Sequence, residues 1–143
     1  MTTCVVDTSV AAKWLLPAAD ETFVDRANHL LSLHLKGDFQ LLAPDLIFCE
    51  LGNVCWKAVR RGRTTRSTAE GALRRFTELG IEIVPASGLL LPAWSIAVAN
   101  DRSFYDSLYV ALAVTAKTEL ITADERLVNA LGSRFPVRWL GAF

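Results

Sequence analysis

The sequence contains few of the residues that build zinc sites or disulfide frameworks. Its 143 residues include only three cysteines and two histidines. No two cysteines form a C-x-x-C pair, and His29 and His34 lie outside any H-E-x-x-H pattern. A disulfide scaffold is therefore excluded, and a zinc centre is disfavoured.

The motifs of nucleotide-binding enzymes and serine hydrolases are also missing. None of the eight glycines belongs to a dinucleotide fingerprint or a glycine-rich phosphate loop. The nucleophile motif G-x-S-x-G is absent as well. We therefore do not expect a nucleotide cofactor or a serine-based mechanism.

Long apolar runs are absent too. The apolar run at residues 108–116 is far shorter than the roughly 20 residues that a membrane span requires. The first residues show no secretory signal. Cys4, Cys49 and Cys55 have apolar neighbours in the sequence, and we expect buried, reduced thiols. Together these observations predict a soluble, cytoplasmic protein that does not bind membranes.

What the sequence does contain is enough apolar surface for one domain. Hydrophobic residues make up 52% of the chain, so residues 1–143 are expected to form one core without disulfides. The four tryptophans are interpreted as core or interface residues rather than as platforms for base stacking: Trp14, Trp56, Trp94 and Trp139.

Short apolar strands alternate with helical segments along the chain. Strands are predicted at residues 3–7, 40–43, 81–84, 119–122 and 137–140. Helices are predicted at residues 10–16, 21–36, 44–61, 65–79, 90–99, 105–117 and 124–131. Asp20 is the predicted cap of the second helix, and Gly37 follows its end. This alternation predicts an α/β/α domain with a five-stranded parallel sheet flanked by helices.

Four acidic residues are placed where a parallel sheet or a buried helix would bring them together. Asp7 and Asp124 follow predicted strands, and functional crevices lie beyond the carboxyl ends of such strands. Glu50 falls along the apolar stripe of its predicted helix, and Asp106 begins a helix that is apolar on nearly every side.

Each acid also has a structural explanation. Asp7 and Asp106 can cap or begin helices, and Glu50 can pair with an arginine. Thr122 and Glu125 can form a capping box, which would leave Asp124 as a first-turn acid. Four carboxylates close together repel one another unless a cation binds, and an all-oxygen set favours Mg²⁺, with Mn²⁺ as a substitute. Phosphodiester hydrolysis is the chemistry that this combination suggests.

The net charge of zero hides an uneven distribution. Seven of the 15 basic residues lie within residues 57–75, where Glu70 is the one acid. Such a basic segment is typical of proteins that bind a polyanion, although a solvated helical hairpin explains it equally well. Within this segment the candidate residues for contact with a polyanion are Arg60, Arg61, Arg63 and Arg66, and the resemblance described next implies that this polyanion is RNA.

Four phrases in order along the chain resemble the PIN-domain family. They are VVDTSV, PDLIFCE, SFYDSLYVALA and ELITADERL, and they are most similar to the VapC toxins of toxin–antitoxin pairs. The resemblance implies a Mg²⁺-dependent endoribonuclease, a homodimer and a partner antitoxin. It also implies products with a 5′-phosphate and a 3′-hydroxyl.

The resemblance also assigns roles to individual residues. Asp7 and Asp106 match the family's principal metal ligands, whereas Glu50 and Asp124 would complete the charge or hold outer waters. Ser9 matches a hydroxyl position near the first acid. The chain departs from the family pattern at Ser107, where alanine is common, and the position of Asp124 is the least uniform of the four.

Three other interpretations account for part of the sequence pattern. A non-catalytic PIN-like adapter that binds RNA or protein is the main alternative, but all four acids are intact. A haloacid-dehalogenase-like phosphatase would need an acid at the position of Ser9. A receiver domain would need a paired acid near Asp7 and a lysine after the last strand, and neither is evident.

Overall fold

Five parallel strands form one sheet in the order β3-β2-β1-β4-β5. The computed structural model describes residues 2–143. The strands are β1 (Thr2–Val6), β2 (Phe39–Pro44), β3 (Glu82–Val84), β4 (Leu120–Thr122) and β5 (Val137–Trp139). Every neighbouring pair is parallel. The predicted sheet is therefore confirmed, and β1 lies at its centre.

Helices cover both faces of this sheet. They are α1 (Thr8–Leu15), α2 (Val24–Leu35), α3 (Leu46–Arg60), α4 (Arg66–Thr77), α5 (Leu90–Asn100), α6 (Phe104–Thr115) and α7 (Glu125–Leu131). Side chains of β1 alternate between two buried clusters, with Val5 in one and Cys4 and Val6 in the other. This alternation is what a central strand buried on both faces requires, and it confirms the α/β/α prediction.

Two predicted helix starts were wrong. Asp20 does not cap α2: it ends a short 3-10 turn (Ala18–Asp20), and α2 begins at Val24 after Phe23, which has a left-handed backbone. Pro44 does not open α3. It is the last residue of β2, because it pairs with Val84 of β3 and the sheet therefore continues up to it.

Other boundaries agree with the predictions to within a few residues. The turn between α3 and α4 depends on Gly62, whose φ of 72° is one that L side chains rarely adopt. This turn makes α3 and α4 a helical hairpin, and the basic residues of the segment 57–75 lie on it, all exposed to solvent.

The cysteine prediction was right for two residues and wrong for one. Cys4 and Cys55 are buried, whereas Cys49 is exposed, and all three are unpaired. Cys49 is exposed because the buried stripe of α3 contains Ile47, Leu51 and Cys55, which lie on another face of the helix. In the described part of the chain, no helix combines the length and apolarity that crossing a membrane requires.

Candidate active site

The four predicted acids line one pocket at the carboxyl ends of β1 and β4. These two strands are neighbours, so the residues that follow them, Asp7 and Asp124, share an edge of the sheet. Helices α3 and α6 bring Glu50 and Asp106 to the same place. The pocket encloses about 110 Å³. Its walls are formed by Asp7, Thr8, Ser9, Glu50, Asp106, Tyr109 and Asp124.

Asp7 is the most deeply placed of these acids, with 8% of its surface exposed. Ser9 Oγ donates to Oδ1 at 2.5 Å, and Thr122 Oγ1 donates to Oδ2 at 2.6 Å. The backbone amide of Val10 also donates to Oδ1. Asp7 is therefore the N-cap of α1, which is the structural role that the sequence allowed for it. Asp7 is therefore held rigidly by donors on both of its oxygens.

The environment of Asp7 opposes its negative charge. Burial raises the pKa of Asp7 to about 6, and the nearby charge of Asp106 also raises it. The three hydrogen bonds lower the pKa but do not restore its usual value. A cation in the pocket would offset both the cost of burial and the repulsion from Asp106.

Glu50 is held by two hydroxyl groups. Tyr109 donates to Glu50 Oε1 at 2.5 Å, and Thr8 Oγ1 donates to the same oxygen at 2.9 Å. Burial and the bond to Glu50 raise the pKa of Tyr109 above its usual value, so Tyr109 remains a donor. Among residues 2–143 Glu50 forms no ion pair, which rules out the arginine partner considered as its structural explanation.

Asp106 and Asp124 occupy helix starts as well as the pocket. Asp106 lies in the first turn of α6 with Arg102 Nη2 3.5 Å from Oδ2. Asp124 Oδ1 accepts from the amides of Arg126 at 3.0 Å and Leu127 at 3.4 Å, and it is therefore the N-cap of α7. The predicted capping box of Thr122 and Glu125 was wrong, because the N-cap of α7 is Asp124 and the Thr122 hydroxyl accepts from the Asp124 amide at 3.0 Å.

Sequence reasoning missed three residues that organise the pocket. Thr8 and Tyr109 hold Glu50, and Thr122 holds Asp7. Signals existed for two of them: Tyr109 is three residues after Asp106 on the same helix face, and Thr122 ends the strand before Asp124. No local signal distinguished Thr8 from an ordinary residue at the start of a helix.

The donor set suits a hard divalent cation. The pocket offers carboxylate and hydroxyl oxygens, which Mg²⁺ and Mn²⁺ prefer. In residues 2–143 no group of three or more acidic, histidine or cysteine side chains is arranged to hold a metal ion as it stands. Glu50 and Asp124 each have hydrogen-bond partners of their own. The oxygen donors of the pocket nevertheless have the chemistry that such an ion prefers.

Comparison with known proteins identifies the family. The sequence-family model of the PIN domain matches residues 4–131. The chain belongs to the PIN-domain family. The matched region of this PIN domain contains all four pocket acids, from Asp7 to Asp124.

Relatives place this PIN domain among the VapC-type ribonucleases. Ribonuclease VapC1 of Mycobacterium tuberculosis is 31% identical over 125 residues, covering 79% of this chain and 92% of the relative. Ribonuclease VapC3 of Pyrobaculum aerophilum is 29% identical, with coverages of 87% and 92%. The fold agrees with the crystal structure of VapBC2 from Rickettsia felis bound to a DNA fragment from their promoter, with a TM-score of 0.70, 12% identity and coverages of 96% and 98%.

Replacing Tyr109 by phenylalanine tests whether its hydroxyl holds Glu50. Tyr109→Phe keeps the buried ring and removes one donor to Glu50 Oε1. We expect a loss of about 1 kcal/mol in unfolding free energy and roughly a 10-fold fall in cleavage rate. Urea denaturation and RNA cleavage measure the two effects. Unchanged cleavage would show that Thr8 alone positions Glu50.

Proposed function

We propose that residues 1–143 form a Mg²⁺-dependent endoribonuclease, the toxin of a VapBC-type pair. The observation that carries this proposal is the pocket at the ends of β1 and β4, where three carboxylates join the buried Asp7. We place the activity in the cytoplasm, which agrees with three unpaired cysteines. Mn²⁺ is expected to replace Mg²⁺, since both prefer oxygen ligands.

Each pocket residue has a defined part in the proposed reaction. Asp7 and Asp106 would hold the ion directly, and Glu50 and Asp124 would orient waters around it. Ser9 and Thr122 keep both Asp7 oxygens in place. The chemistry supplied by the ion, when bound, is activation of a water and stabilisation of the charge that develops on the phosphate. Cleavage would leave a 5′-phosphate and a 3′-hydroxyl.

The α3–α4 hairpin supplies the proposed contacts to RNA. Arg60 ends α3, Arg61 is the C-cap of that helix, Arg63 follows the turn, and Arg66 begins α4. All four are exposed. A cluster of arginines on one exposed hairpin is suited to contact phosphates, because each can donate to phosphate oxygens through a rigid guanidinium group.

The contribution of these arginines is measurable through salt dependence. Each contact with a single-stranded phosphate contributes about 0.7 to the slope of log affinity against log salt. A double variant, Arg61→Ala with Arg63→Ala, is therefore expected to reduce that slope by about 1.4. Arg134→Ala is the matched control. Arg134 is exposed and precedes β5, so it lies at the end of the sheet opposite the carboxylate pocket. A slope unchanged in the double variant would rule out these phosphate contacts.

The protein partners are a second copy of the chain and an antitoxin. Helix α5 supports the homodimer, because Leu91, Trp94 and Val98 are all exposed apolar residues on it. The antitoxin is supported by the likeness to the Rickettsia felis VapBC2 structure, which also contains a promoter DNA fragment.

Cleavage of a mixed RNA pool by the purified protein tests the function. We expect fragments with 5′-phosphates in Mg²⁺ and none in EDTA. Expression in cells covers the case of a narrow target, because a specific toxin would still arrest growth. An intact pool combined with normal growth would favour the non-catalytic adapter.

A further inference from the structure

Trp56 is a large aromatic residue that the core leaves exposed. It lies on α3 with 53% of its surface accessible, although its neighbours Cys55 and Ala58 are buried. The sequence interpretation of Trp56 was a core or interface residue without a base-stacking role, and its exposure excludes the core part of that interpretation. An exposed tryptophan of this size is typical of a surface that binds another molecule.

The surroundings of Trp56 are basic. The guanidinium group of Arg60 lies over its ring, with Cζ 4.9 Å from the ring centroid. Trp56, Lys57, Arg60 and Arg61 together line a hollow of about 330 Å³, which is in the size range of small-ligand sites. None of the residues lining this hollow is acidic. An aromatic ring beside three cations matches a nucleobase attached to its phosphates.

This hollow is connected to the carboxylate pocket by one face of α3. Glu50, Asn53 and Lys57 follow at spacings of three and four residues, which places them in one row along the helix. Arg61 continues the row four residues later. With a rise of 1.5 Å and a turn of about 100° per residue, Trp56 lies about 9 Å beyond Glu50 along the helix axis and about 120° around it, next to Lys57 of the row. A strand of RNA leaving the pocket along α3 would reach Trp56 within a few nucleotides.

We propose that Trp56 and Arg60 form a base-stacking subsite for single-stranded RNA that flanks the bond to be cut. Lys57 and Arg61 would hold the backbone of the same nucleotides. The subsite rests on the proposed ribonuclease function. It adds a contact to a base, whereas the arginine contacts proposed above are to phosphates. Stacking on an aromatic ring tolerates any base, so this subsite would strengthen binding without selecting a sequence.

The proposal is tested by binding of a labelled hexauridylate, measured by fluorescence anisotropy. All proteins carry Asp7→Asn so that the RNA stays intact. Adding Trp56→Ala should weaken binding about 5- to 100-fold, and Trp56→Phe should retain most of the affinity. Leu35→Ala is the control for loss of an exposed apolar side chain, because Leu35 ends α2 on another part of the surface. Its affinity should equal that of the parent.

Two further measurements separate stacking from charge. The slope of affinity against salt should stay the same in Trp56→Ala, because no phosphate contact is lost. A hexamer with abasic sugars should bind the parent and Trp56→Ala equally well. Unchanged affinity in Trp56→Ala, or a loss that persists on the abasic hexamer, would overturn the subsite.

The outcomes also separate the subsite from the proposed function. Cleavage of RNA by the wild type together with normal binding by Trp56→Ala would overturn the subsite alone. Binding that depends on Trp56 in a protein that never cleaves RNA would support the subsite and contradict the ribonuclease. If Trp56→Ala bound RNA normally but lost a protein partner, the surface would be a protein interface and the subsite would be overturned.

Discussion

Asp7→Asn is expected to lower the rate of RNA cleavage by about 1,000-fold while the protein stays folded. Asp7 offers two fixed oxygens to the pocket, and asparagine retains the shape but removes the charge that would hold a cation. Initial rates at saturating Mg²⁺ measure the effect. Asp38→Asn is the control, because Asp38 precedes β2 at the opposite end of the sheet. Near-normal cleavage by Asp7→Asn would remove Asp7 from the active centre.

The same variant should change how stability depends on pH in EDTA. The pKa of Asp7 is about 6 in the folded protein against 3.8 as its ordinary value. Between these values the folded state binds a proton that the unfolded state has lost, so the contribution of Asp7 to stability falls as pH rises from about 4 to 6. The fall attributable to Asp7 amounts to about 3 kcal/mol. Asp7→Asn should lack it, and equal slopes in both proteins would contradict the buried charge.

Glu50→Gln is expected to lower cleavage roughly 100-fold with little change in stability. Glutamine retains an oxygen that can accept from Tyr109 and Thr8, so the hydrogen bonds that hold residue 50 survive. What is lost is the negative charge at the pocket. Cleavage rates and thermal unfolding measured on the same preparation distinguish the two effects.

Controls for Glu50 come from two other variants. Glu50→Ala should be less stable than Glu50→Gln by about 1–3 kcal/mol, because Tyr109 loses its carboxylate acceptor in a buried position. Glu78→Gln, at the exposed end of α4, should leave both quantities unchanged. A normal cleavage rate in Glu50→Gln would make Glu50 a purely structural residue.

Sequence patterns predicted the sheet and the meeting of the four acids well. The strands are short apolar runs that end abruptly at polar residues, as β1 does before Asp7. Because β1 and β4 are parallel neighbours, Asp7 and Asp124 lie at the same carboxyl edge of the sheet, independently of the loop conformations. Glu50 was recognisable because a carboxylate along an apolar stripe needs partners.

Local sequence patterns could not predict which side chains form hydrogen bonds with these acids. Thr8 and Tyr109 meet at Glu50 from positions 101 residues apart in the chain, and only the packed fold brings them within 3.0 Å. The start of α2 was mispredicted for a similar reason. Phe23 packs edge-on against Trp139, which belongs to β5 at the other end of the sequence, and this contact accompanies the left-handed backbone before α2.

The exposure of Trp56 could not be predicted from its neighbours in the sequence. Its neighbours Cys55 and Ala58 form part of the buried stripe of α3, and one residue along a helix turns the side chain by about 100°. From the sequence, the basic character of the hairpin was therefore predicted but a base-stacking role for Trp56 was rejected, whereas the structure places Arg60 directly over the ring of Trp56.

Calorimetric titration of Mn²⁺ into the protein, paired with RNA cleavage on the same preparation, tests the central claim most directly. Wild type should bind Mn²⁺ and cleave RNA, whereas Asp7→Asn should do neither. Asp38→Asn should match the wild type in both measurements. Cleavage by wild type in EDTA, or Mn²⁺ binding that is unchanged in Asp7→Asn, would contradict a metal-dependent ribonuclease centred on these carboxylates.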